Sequence, residues 1–477
     1  ALFVVNSTVS WEEGVFSFLG NSAASGGALC AVVGSTVSWA GVTTFRKNSA
    51  RKNRGGALFL EGYSNASWRE DTYFVDNIAQ DDGGAIFVDL GSATSWSEGV
   101  NFSSNTATDG GGGAMFIGSS SIVTLDGETI FTSNSCGGEG GAVSSQALQA
   151  GTSTHSGNQQ SSLVINGATA FEKNKCENNG GGLAVLSGLS VSIKTSNVTF
   201  FDNEAAVAGG GVSISATGMG PIFSNASFLF NNANVGGGVF ITGSGTSIEP
   251  KDEQLSAKFV GCSFIGNEAS STGGAIESAT GAASLSTTLF RGNKAGVGGA
   301  LRLAGATSLD GCQFEENVSD LDGGQAISMI GHTFEIENCS FSDNAYDCKA
   351  GTFFNESGEG RRYDNVCSRC DDCTGCTVEK PGVVSTCSAA MEHSTSRGGP
   401  NVTLMTLIID SGYWRATNKS INVLECFNQL ACNGGLTGSG RYCRDGYTGP
   451  YCAVCINDYV KGPGFTCTKC SENVWGI

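Results

Sequence analysis

The chain has 477 residues, 26 basic and 44 acidic side chains, a net charge of −18, and 71 glycines against 6 prolines. That balance argues against nucleic-acid or anionic-membrane binding and for a soluble, self-repelling surface. No apolar run approaches the ~20 residues of a membrane span, so membrane contact is expected only through segments outside this chain.

The chain opens Ala1-Leu2-Phe3-Val4, which matches Ala57-Leu58-Phe59-Leu60 without the preceding Gly55-Gly56. It therefore starts in mid-repeat and reads as a fragment or processed product. Phe-x-x-Asn then recurs at Phe18, Phe45, Phe74, Phe102, Phe131, Phe171, Phe200, Phe228, Phe264, Phe290, Phe314 and Phe341, and a Gly-Gly pair follows all but the last. Repetition of this length means a solenoid. Each repeat holds three short apolar segments. The first follows the glycines with period two, as in Leu58 and Leu60 or Ile86 and Val88; the second ends at Trp11, Trp39, Trp68 and Trp96, then at Leu125, Ile165 and Ile222; the third ends at the repeated Phe. Three strands per repeat without helical periodicity predict an all-β, right-handed parallel β-helix of about twelve coils, the hand following the crossover rule.

Coils stack ~4.8 Å apart, so the Phe residues form an internal ladder and the Asn side chains bond from coil to coil. The glycines make the next corner, where φ is positive or the backbone approaches closely. The tryptophans, replaced later by Leu and Ile, read as core. In the first strand the middle residue points out, which places Phe3, Phe59, Phe87 and Phe116, together with Cys30, on an outward apolar stripe; such a patch marks an interaction site. Cys136 and Cys176 stand two residues after the ladder Asn in successive coils, which predicts a disulfide between them. Cys262, Cys312 and Cys339, two residues before a Phe, read as buried thiols. Insertions Gln146 to Ser162 and Thr242 to Ser256 leave the rod at one corner, between first and second strands.

Of ten Asn-x-Ser/Thr sequons, Asn101, Asn197, Asn225 and Asn338 face outward beside a Phe and are the glycosylation candidates; Asn317 belongs to the ladder and should escape. The histidines, His155, His332 and His393, are scattered, and acid pairs such as Asp81-Asp82 read as solvated charge. Asp320-Leu-Asp322-Gly323 lacks the later ligands of a calcium loop, so no metal or other cofactor is expected.

After Phe341 the repeat fails, and residues 346–366 read as a cap or linker following the 1–345 repeats. Twelve of the 19 cysteines lie between Cys367 and Cys470, a density that indicates disulfides and an oxidising, extracellular compartment. Cys367 to Cys376 departs from the spacing of the bacterial iron–sulfur run, and Cys452, Cys455, Cys467 and Cys470 imitate a zinc ribbon; disulfides are the expected state of both.

The repeats resemble those of the chlamydial polymorphic outer membrane proteins, whose signatures are GGA followed by Ile, Leu or Val, and FxxN; Gly84-Ala85-Ile86 and Phe74 to Asn77 match both. That resemblance implies a right-handed β-helix exposed on a cell surface and used for adhesion, although no membrane β-barrel pattern follows here. Further on, Cys443-Arg-Asp-Gly446-Tyr447-Thr-Gly449-Pro450-Tyr-Cys452-Ala-Val-Cys455 resembles an EGF or laminin-type EGF half-module, which implies a bridge between Cys443 and Cys452. Repeats joined to such a tail resemble large algal and protist surface proteins. The tail then divides into a cysteine-rich region with short strands, 367–425, and an EGF-like module, 426–477.

The expectation is a non-enzymatic extracellular or cell-surface structural or adhesive protein. Its partners would be protein, surface glycan or further copies of itself, assembling end to end or side by side. A carbohydrate-binding or carbohydrate-degrading β-helix is the alternative, and it rests on fold analogy; enzymatic activity is not expected.

Overall fold

The computed structural model describes residues 2–145 and 161–342, apart from 187–188, 194, 196, 217–219, 244–256, 306, 321–325 and 331–333, and then 353–355, 362–364, 411–414, 424–434 and 442–469. Both corner insertions fall largely outside these residues, as do all three histidines and the cysteines from Cys367 to Cys387. The chain divides into two compact units, the first built essentially from residues 1–345 and the second from the remainder.

The first unit is a parallel β-solenoid, and no α-helix occurs among the described residues. Successive coils lay successive strands onto the stacked sheets. The first sheet has twelve strands, from Leu2–Val5 to Ile327–Met329, and the third has twelve, from Val15–Leu19 to Ser340–Ser342. The second sheet is interrupted: seven strands run from Thr8–Trp11 to Leu189–Ile193, and five more from Ile222–Ser224 to Phe334–Glu337. A fourth sheet, which the three-segment reading missed, has eleven strands from Ser22–Ala23 to Val318–Ser319. Most are only two residues long, too short for a period-two pattern to appear in sequence.

Side chains of like kind meet in columns because the sheets are parallel and in register. Twelve Phe rings, Phe18 to Phe341, stack at 4.4–5.1 Å. Beside them Trp11, Trp39, Trp68 and Trp96 stack at 4.7–4.8 Å. The buried indole N–H groups of Trp39, Trp68 and Trp96 have no hydrogen-bond acceptor, and edge-to-face packing on Phe45, Phe74 and Phe102 supplies a compensating aromatic interaction. The column continues through Leu125, Ile165 and Ile193. In the next strand Phe223, not Ile222, turns inward: Phe223 is fully buried and stacks on Phe259, whereas Ile222 is exposed.

The Asn column holds the corner. From Asn21 to Asn317, each side-chain amide donates to the next Oδ1 at 2.9–3.0 Å. The residue just before the ladder Asn is left-handed: Lys47, Asp76, Ser104, Ser133, Lys173, Asp202, Phe230 and Glu316 all have φ between 53° and 56°. Gly20, Gly266 and Gly292 occupy the same place. The paired glycines do separate jobs, as Gly83 and Gly84 show. Gly83 has φ +69°, while a Cβ on Gly84 would lie 2.0 Å from the carbonyl oxygen of Gly113 in the next coil, so no side chain fits.

Candidate functional site

The expected outward Phe stripe is not a surface. Phe3 is exposed and Phe59 partly so, but Phe87 is 0% and Phe116 4% exposed. Their rings form a further ladder, with Phe59, Phe87 and Phe116 stacked at 5.2 and 5.3 Å. Strand alternation correctly turns these residues out of the central core, yet the segment before each Gly-Gly pair folds back over them. The Arg54 guanidinium lies 4.9 Å from the centre of the Phe87 ring, and a Cβ on Gly26 would come within 3.0 Å of Phe59 Cβ. The same covering continues in later coils, where Ser144, Ala184, Ser213 and Glu277 are buried at the equivalent position.

Arg54 is the hub of a charge cluster on this face. Its Nε lies 3.0 Å from Asp82 Oδ2, so Asp82 is a paired, half-buried acid and not simply solvated charge. Asp82 Oδ1 accepts from the Gly111 N–H at 3.0 Å. Asp89, 2% exposed, accepts from the N–H groups of Leu90 and Ser119 at 2.8 and 2.7 Å. Burial pushes the Asp82, Asp89 and Glu61 carboxyls above the usual range, and Arg54 pulls each back only in part. Burial and the Glu61 charge raise the neighbouring Cys30 thiol to about 11. Farther along, buried Glu277 pairs with Arg302 of the next coil, and its carboxyl too is raised by burial against the opposing pull of Arg302. The Arg54–Asp82 and Glu277–Arg302 pairs each join successive coils, 28 and 25 residues apart in sequence, and no local motif marks them.

An exposed apolar row does exist, one corner away. Val33, Tyr63 and Leu90 follow the first strand in successive coils and are 43–64% exposed. Val33, Tyr63 and Leu90 are also left-handed, with φ of 57°, 61° and 51°. For β-branched Val33 this conformation is a genuine outlier, and strain of that kind concentrates at functional positions. On the third sheet, Asp71, Tyr73, Asn101, Glu128 and Ile130 line a shallow cavity of about 140 Å³.

Cys136 and Cys176 are paired in register, but both are free thiols. The expected bridge between them is therefore corrected. They replace alanine in a buried column that continues through Ala107, Ala205 and Ala233. The contact with Cys176 and burial hold the Cys136 proton in place well above the ordinary thiol range, which suppresses the thiolate that disulfide chemistry needs. Cys262 and Cys312 are buried, whereas Cys339 is only half-buried. Among the glycosylation candidates, Asn197, Asn225 and Asn338 are exposed and Asn101 is intermediate; Asn317 is fully buried in the ladder.

In the second unit, disulfides join Cys426 to Cys432, Cys443 to Cys452 and Cys455 to Cys467. The three mutually close sulfurs of Cys426, Cys432 and Cys452 are thus consumed in bridges. Trp414, Tyr451, Phe427 and Phe465 stack in sequence at 5.3, 4.7 and 5.0 Å.

The first unit belongs to the class of parallel β-solenoids with laddered Asn and Phe columns. Residues 71–89 and 128–146 match the model of the Chlamydia polymorphic membrane protein repeat; both stretches contain the FxxN and GGA elements that build the ladder and the corner. No curated protein matches the chain. No solved structure matches it either. Among the described residues, no helix is long and apolar enough to cross a membrane.

Proposed function

We propose that this chain is a non-enzymatic structural and adhesive protein of the extracellular space or cell surface, a rigid rod that presents an interaction surface to a protein or glycan. The observation that carries this reading is the contrast between inside and outside. Inward columns repeat almost unchanged from Asn21 to Asn317, while outward positions change from coil to coil, so specificity must reside outside. The match to a repeat of Chlamydia polymorphic membrane proteins supports a surface role, and the disulfides of the tail support an oxidising compartment. The tail reads as EGF-like from its Cys443 to Cys455 motif.

The interaction surface is the row Val33, Tyr63 and Leu90. The acids whose carboxyls burial raises are held by Arg54, Arg302 or backbone N–H groups, which fits structural roles better than acid–base catalysis. Beads coated with the purified chain should bind cells or extracellular matrix, and the triple change Val33→Ser, Tyr63→Ser, Leu90→Ser should abolish most of that binding without lowering the unfolding midpoint. Unchanged binding would remove the row from the proposal, and polysaccharide cleavage by the wild-type chain would remove the non-enzymatic reading. The cavity around Tyr73, flanked by Asp71 and Glu128, favours glycan as a second class of partner. Loss of glycan-array binding on Tyr73→Ala would identify it.

A further inference from the structure

Cys312 and Cys339 lie directly opposite one another in successive coils. Phe314 pairs with Phe341 and Gln313 with Ser340, and the Ser340 N–H donates to the Cys312 carbonyl at 2.9 Å. At one coil spacing their α-carbons are ~4.8 Å apart, inside the range a disulfide spans. Both residues precede the strands Gln313–Glu315 and Ser340–Ser342, so they occupy a corner and not the sheet itself.

Their surroundings differ. Cys312 is fully buried, with its sulfur 3.6 Å from the Leu285 carbonyl oxygen. Cys339 is half-buried, with its sulfur 3.3 Å from the Glu337 carbonyl oxygen. The contact between the two thiols raises Cys312 and lowers Cys339 relative to an ordinary thiol, and burial raises Cys312 further. The same rod contains an internal comparison. Cys136 and Cys176 are stacked in the same way but are sealed among alanines, 5% and 0% exposed, and Cys262 is a buried thiol with no cysteine beside it.

We propose that Cys312 and Cys339 are a redox-active dithiol that closes to an inter-coil disulfide by exchange with a small-molecule disulfide, Cys339 attacking and Cys312 resolving. Cys339, as thiolate, attacks one sulfur of oxidised glutathione. That S–S bond breaks, one glutathione thiolate leaves and takes a proton from water, and a mixed disulfide remains on Cys339. Cys312 then gives its proton to water, and its sulfur attacks the Cys339 sulfur. The second glutathione leaves as thiolate and is protonated. Two protein thiols are oxidised to one disulfide, one oxidised glutathione is reduced to two thiols, and the two protons lost by the protein equal the two gained. The bond would staple the last two strands of the third sheet, where a solenoid otherwise frays.

Peptide mapping of the full chain under native conditions tests this, because it reads each cysteine separately and leaves the tail disulfides out of the count. Maleimide should label Cys339 at least about tenfold faster than Cys136, Cys176 or Cys262, since rate follows thiolate fraction and access. Oxidised glutathione should then yield the Cys312–Cys339 disulfide while Cys136 and Cys176 stay reduced. Cys312→Ser should accumulate glutathione on Cys339, and Cys339→Ser should leave Cys312 unmodified. The proposal is overturned if wild-type Cys339 resists both reagents, or if the wild type retains the mixed disulfide to the same extent as Cys312→Ser. The wild-type measurements stand by themselves should either variant fail to fold.

Discussion

The side-chain amide of Asn77 donates to Oδ1 of Asn105 at 2.9 Å, and the same oxygen accepts the Asn77 backbone N–H at 3.0 Å. Asn105 in turn donates to the Phe74 carbonyl and to Asn134, both at 2.9 Å. The interior ladder amides, like Asn105, are therefore satisfied at both donors and receive two bonds at the oxygen, with no water required.

Replacing Asn105 by alanine strips partners from the Asn77 N–H, the Asn77 amide and the Phe74 carbonyl, in a site where Asn77 and Phe74 are fully buried. At ~1–3 kcal/mol for each unsatisfied buried group, the expected loss is about 4 kcal/mol. Denaturant unfolding of Asn105→Ala measures it, and a loss below ~1 kcal/mol would mean the ladder is ornamental.

The two apolar rows predict opposite outcomes. Phe87→Ser empties a buried aromatic site beneath Arg54 and should cost about 3–5 kcal/mol. Tyr63→Ser acts on an exposed side chain and should stay within ~0.5 kcal/mol. Equal effects in parallel melts would show that the covering segment does not seat on Phe87.

Much of this architecture was legible in the sequence. Phe-x-x-Asn and Gly-Gly-Ala contain the ladder, the corner and the coil period, because identical neighbours must meet in a parallel in-register stack. What escaped was whatever depends on a different coil. Alternation puts Phe87 outside its own strand but is silent about Arg54, which arrives from the preceding coil. The Arg54–Asp82 and Glu277–Arg302 pairs are likewise contacts between coils. Register correctly brought Cys136 beside Cys176, and sequence alone could not show that their column is sealed.

Acid should strengthen the rod before it weakens it. Glu61, Asp82, Asp89 and Glu277 all have folded pKa values raised chiefly by burial. The folded state therefore holds protons that the unfolded state releases, and this contribution to stability is greatest below the ordinary carboxyl range. It declines as pH rises from that range through the raised values. Unfolding midpoints should fall as pH rises out of the ordinary carboxyl range, and Glu277→Gln should make the fall shallower. A midpoint that climbs instead would contradict the assignment.

The left-handed position between Phe and Asn has a practical consequence. Lys47, Asp76, Ser104, Ser133, Lys173, Asp202, Phe230 and Glu316 share one backbone conformation although their side chains have nothing chemical in common, and nearly all are exposed. The fold fixes where each of these residues stands and leaves its identity open. Successive coils thus set out a line of freely writable positions at a pitch of ~4.8 Å, a molecular ruler on which charge, bulk or an attached probe can be spaced without disturbing the column behind it.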